Sequence, residues 1–100
     1  CKMIIDIVFE TRCKLDLTEV GAWVYSVHES CDALLLRYWI DGVSFGWRIG
    51  EKFPRKLYSL LVERKGKLRA HNAFFEYCVW NLCMAKKYNW PEIPIERFIL

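Results

Sequence analysis

One hundred residues, of which 54% are apolar and 16% aromatic, make one folded domain with a moderate core and exclude a disordered chain. The formal charge of +3 permits nucleic-acid contact without requiring it. Apolar runs stop well short of about 18 residues, so neither a transmembrane helix nor a signal peptide is expected.

The first predicted element is a β-strand over 3–11, because Ile4, Ile5, Ile7, Val8 and Phe9 form a dense β-branched and aromatic run. Strand side chains alternate, so Asp6, Val8 and Glu10 share one face while Ile5, Ile7 and Phe9 share the other. The strand reads as buried, and buried carboxylates are paired, hydrogen-bonded or bound to metal. A polar connection, Arg12 to Thr18, leads to a short helical turn over Leu17–Tyr25, with Thr18 as N-cap and Gly21 as an early breaker. Cysteines at positions 1, 13, 31, 78 and 83 are odd in number and lack a Cys-x-x-Cys pair, which fits neither a zinc ribbon nor a disulfide scaffold. They read as reduced thiols of an intracellular protein, several of them filling the core.

The apolar run Ala33–Ile40 ends at Asp41-Gly42, a strong hairpin signal before Val43–Ile49. Val43, Phe45, Trp47 and Ile49 alternate with Ser44, Gly46 and Arg48, so one face is expected to pack and the other to meet water. The first three strands therefore read as an antiparallel meander. Pro54 suits the first position of a helix whose Leu57, Leu60, Leu61 and Arg64 keep helical spacing until Gly66. Lys65 near its end complements the helix dipole. Lys67–His71 reads as a short strand. Asn72 then caps a helix with the apolar stripe Phe75, Cys78, Val79 and Leu82, running to about Tyr88 and ended by Trp90, Pro91 and Pro94. The pattern by itself predicts an α/β domain with a mixed sheet.

Two stretches carry a resemblance. Val8-Phe9-Glu10-Thr11-Arg12, followed by Leu15-Asp16-Leu17 and Gly21, resembles the opening of the 3′–5′ exonuclease (proofreading) domain of phage-type family A DNA polymerases. Ala70-His71-Asn72-Ala73-Phe74-Phe75-Glu76 resembles the second exonuclease motif of the same family, and Trp90-Pro91-Glu92 extends the likeness along the chain. The resemblance implies a partial ribonuclease H-like fold of order βββαβα in a bacterial or phage-infected cytoplasm. Its chemistry is two-metal phosphodiester hydrolysis with Mg²⁺ or Mn²⁺, held by carboxylate oxygens because such cations are hard. By this likeness Glu10 binds metal and Glu76 acts through metal-bound water, while Asn72 and Phe75 position the terminal nucleotide of a single-stranded DNA 3′ end.

Two departures weigh against efficient hydrolysis. Val8 stands where the family has the acid that bridges both metals, and Asp6 replaces it only if the strand slips by two residues. The third motif, a Tyr or His with an Asp shortly after, is expected beyond Leu100, along with a fused polymerase domain. The implied protein is thus an impaired exonuclease, and the alternative is an inactive nucleic-acid-binding or protein-interaction module, including a homodimer through an exposed sheet. Simpler readings stand beside each role. Asn72 caps a helix, Phe75 fills a core, Glu76 favours a helix N-terminus, His71 is a hydrogen-bonded structural histidine, and Lys86 and Lys87 form a solvated helix end.

Overall fold

Alternation of apolar and polar side chains on the early strands and helical spacing later set the elements of the computed structural model, which describes residues 3–99. They are β1 (Ile4–Arg12), α1 (Leu17–Val27), β2 (Asp32–Ile40) and β3 (Val43–Arg48), then α2, an α-helical Arg55–Tyr58 continued as π-helix over Ser59–Glu63. There follow β4 (Lys67–Arg69), α3 (Ala73–Cys78, π-helical over Val79–Met84, α-helical again over Ala85–Tyr88), a 3-10 turn Ile95–Arg97 and β5 (Phe98–Ile99). The protein is α/β, with one five-stranded mixed sheet in the order β3-β2-β1-β4-β5. The first three strands form the expected antiparallel meander, and β4 and β5 add in parallel. This arrangement is compatible with a partial ribonuclease H-like fold. Among the described residues no helix is long and apolar enough to cross a membrane.

The hairpin signal is realised by Asp41 and Gly42, both at positive φ (51° and 79°), the backbone twist a two-residue turn needs. β2 carries one extra residue: Glu10 pairs with Leu35 and Thr11 with Ala33, so Leu34 bulges outward. The helix after β1 is longer than a turn. Asp16, not Thr18, caps it by accepting from the Thr18 amide at 2.9 Å, and Gly21 breaks its geometry at φ 82°. Pro54 lies one position earlier than expected, at the N-cap of α2. At the far end of α2, Lys65 turns left-handed (φ 54°) and the Gly66 amide returns to the Leu60 carbonyl at 2.8 Å. A Cβ on residue 66 would stand 2.9 Å from that carbonyl oxygen, so glycine is required by close approach.

All three helices pack into one core against the face of the sheet that presents Ile5, Ile7, Phe9, Leu36, Trp47 and Leu68. Its centre is aromatic: Trp90 lies 4.9 Å from Trp80, 4.9 Å from Phe53 and 5.0 Å from Trp47, ring centre to ring centre. The indole N–H groups of Trp80 and Trp47 are satisfied, by the Pro91 and Glu51 carbonyls. Asn81 ties α3 to the following segment, donating to the Ile93 carbonyl and accepting from the Ile93 amide. Cys78 and Val79 of the expected stripe of α3 are buried and Phe75 is partly so, while the π turns bring Trp80, Cys83 and Met84 inward and leave Leu82 only partly covered.

Cys31, Cys78 and Cys83 are buried free thiols and Cys13 is half-buried, as expected of core fillers, while Cys1 lies outside the described residues. Lys87 departs from a solvated helix end, since its ammonium donates to the carbonyls of Glu29 and Cys31. On β3 only Trp47 is deeply buried, and Val43 and the following Ile49 are exposed rather than packed.

Candidate functional site

The acid-bearing face of β1 points away from the helices. Ile5, Ile7 and Phe9 are buried, whereas Val8 is 43% exposed and Glu10 is open to solvent. The expectation of a strand buried on both faces is therefore corrected: helices cover one side of the sheet only. On the open side Val8 lies across from Arg37 and Glu10 across from Leu35. Asp6 lies between Trp39 and Arg69, and the Arg69 guanidinium holds its carboxylate in a two-pronged pair at 2.6 and 3.0 Å. That pairing keeps the Asp6 carboxyl below the usual range. A two-residue slip of β1, which would bring Asp6 to the position of Val8, would break this pair and the register on both sides.

Glu76 is brought to the same end of β1 from α3. The Lys67 amide bonds the Met3 carbonyl at 2.8 Å, so odd-numbered residues of β1 turn their peptide groups toward β4. β4 ends at Arg69 while β1 continues, which leaves the Phe9 amide beyond the last strand pair. The Glu76 side chain lies against it. Burial raises the Glu76 carboxyl to about 7, and the Phe9 amide opposes that rise by favouring the anion. Its Oε2 has no hydrogen-bond partner among the described residues.

Asn72 stands at the head of α3, its side-chain oxygen accepting from the Phe75 amide at 3.3 Å, which is the capping role. Phe75 packs toward Tyr25 of α1, with ring centres 5.9 Å apart, and the Tyr25 hydroxyl bonds Thr11 at 3.0 Å. Phe75 thus helps fasten α1 to α3 and to β1. His71, expected to be a hydrogen-bonded structural histidine, is exposed.

Glu10 and Glu76 fall at the same end of β1 but on opposite sides of the sheet, Glu10 open and Glu76 buried, with Asn72 and Phe75 on the helix that carries Glu76 and Asp6 held apart in its ion pair. The donor set does not fit a two-cation centre. Val8 offers no oxygen, Asp6 is engaged by Arg69, and the guanidinium-bearing Arg37 stands across from Val8 where a cation would be repelled. Among the described residues no three His, Cys, Asp or Glu side chains converge as a metal site. The sequence reading missed Arg37, Trp39 and Arg48, which share the open face. Their signal was the register of a strand pair, visible once Asp41-Gly42 is taken as the turn and the pairing is counted outward. The fold defines an α/β domain with a half-covered mixed sheet. The chain matches no family model, no curated protein and no solved structure.

Proposed function

We propose that this chain is the first part of a 3′–5′ exonuclease-like domain of the phage-type DNA polymerase kind, which engages the 3′ end of single-stranded DNA and hydrolyses it poorly or not at all. One observation carries the reading: α3 sets the Glu76 carboxyl against the amide of Phe9, the residue before Glu10, so the acids of the two motifs that resemble the family fall at the same end of β1, Glu76 on the covered side and Glu10 on the open side. The substitution of a ligand by Val8 and the cation at Arg37 support binding without turnover. Mg²⁺ or Mn²⁺ belongs to the family's chemistry, and this donor set lacks the bridging oxygens for it.

The test is Val8→Asp, assayed with Mn²⁺ on single strands labelled at the 3′ end. Wild type should leave the label in place, and the variant should release it and gain thermal stability on adding Mn²⁺. A Val8→Asp chain that neither cleaves nor responds to Mn²⁺ sinks the assignment of the acidic face.

A further inference from the structure

The open face of the sheet is not neutral. Arg37, Arg48, Lys67 and Arg69 lie on it against Asp6 and Glu10, and Asp6 is already matched by Arg69. Arg37 and Arg48 have no carboxylate partner among the described residues. They are diagonal neighbours, because Leu35 pairs with Arg48 and Arg37 with Gly46, which sets their Cα atoms roughly 7–8 Å apart on one face. Between them the sheet surface forms a depression of about 270 Å³ also lined by Leu35, Ser44, Phe45 and Gly46. The one acid lining it, Glu51, is engaged through Oε1 by the Arg48 backbone amide at 2.7 Å. Trp39 follows Arg37 by two residues on the same face and is half-buried, opposite Ser44.

We propose that this β2–β3 depression is a non-catalytic contact for single-stranded nucleic acid, with one backbone phosphate between Arg37 and Arg48 and a base laid on Trp39. Guanidiniums carried at diagonal positions on adjacent strands can present several N–H donors to a tetrahedral anion, and the missing side chain at Gly46 leaves room between them beside Leu35. An indole beside such a pair supplies the stacking surface that single-strand binders use without sequence preference. A second copy of the chain is a poorer occupant, since the same face on both partners would bring two unpaired arginines and only one unpaired acid, Glu10, from each copy. The inference deepens the reading of the chain as a single-strand binder. It differs from it in needing no 3′ end.

The experiment is fluorescence anisotropy with labelled oligothymidylate, linear and circular, in EDTA over a salt series. Wild type should bind both forms. Arg37→Ala/Arg48→Ala should bind about tenfold more weakly, with the slope of log K against log salt reduced by about 0.7, the value for one phosphate on a single strand. Arg37→Lys/Arg48→Lys should retain the slope, and Trp39→Ala should weaken oligothymidylate but not an abasic phosphodiester of equal length. Binding unchanged by the alanine pair overturns the proposal. So does failure of wild type to bind at low salt, whether or not the arginine variants alter self-association in sedimentation. Preference for the linear form with no arginine dependence leaves the 3′-end reading standing and removes this one. Equal, arginine-dependent binding of both forms does the reverse.

Discussion

Glu76 sits in the core side of the molecule with one carboxylate oxygen unpartnered, and its protonation is therefore linked to folding. Its carboxyl is raised from 4.5 to about 7 in the fold, so the folded state keeps a proton that the unfolded chain has already released. Below the lower value both states are protonated and nothing is lost. As pH rises through that window stability falls, and above it the loss is complete, at most about 3 kcal/mol. Urea unfolding at acid and alkaline pH should show this decline in wild type, and Glu76→Gln should flatten it and gain stability on the alkaline side. An unchanged slope in the Gln variant would mean that another group carries the linkage. The Asp6–Arg69 pair is of a different kind. Both side chains are close to half exposed, so Asp6→Asn should cost under about 1 kcal/mol by the same measurement.

Among the elements, α2 and α3 hold the site in place through close packing rather than through intrinsic helix preference. The turn after α2 delivers the chain into β4, and it closes only because residue 66 has no Cβ. Gly66→Ala should therefore destabilise by about 1–3 kcal/mol, read as a lowered denaturation midpoint with an unchanged slope. α3 is anchored by Trp80, fully buried against Phe9, Phe53 and Trp90. Trp80→Ala should cost about 3–5 kcal/mol, a large share of the stability of a domain this size. Because α3 also presents Glu76, that variant should lose the pH dependence of stability together with its packing.

At the scale of the whole molecule, the sheet is asymmetric. One face carries three helices and an aromatic core, and the other carries arginines, Trp39 and the exposed Val8. The Cα radius of gyration is 12.9 Å, near the ~13 Å expected of a compact domain of this length. Small-angle scattering at low concentration should return a value close to this for a monomer, and a dimer built across the open face would raise it clearly. The same face is where nucleic-acid binding should add its salt dependence.

Much of the architecture was legible in local chemistry. The Asp41-Gly42 turn, the Asn72 cap, the breaker at Gly21 and the alternation along β1 each follow from a few neighbouring residues, and all reappear in the fold. The two-residue β5 escaped notice because so short a strand exists only through its pairing with β4. Helical spacing finds Cys78 and Val79 of the buried stripe of α3 but not Trp80, Cys83 and Met84, because π-helical turns shift which side faces inward. The candidate site divides the same way. Sequence alone fixed which acids exist on β1 and α3, that Val8 offers no oxygen, and that Asp6 and Glu10 share a face, since alternation is a property of the strand itself. Tertiary structure decided that this face is open, that Arg69 holds Asp6, that Arg37 stands opposite Val8, and that Glu76 is buried at the Phe9 amide. Those are contacts between segments far apart in the chain, set by register and by where β4 ends, and no local pattern encodes them.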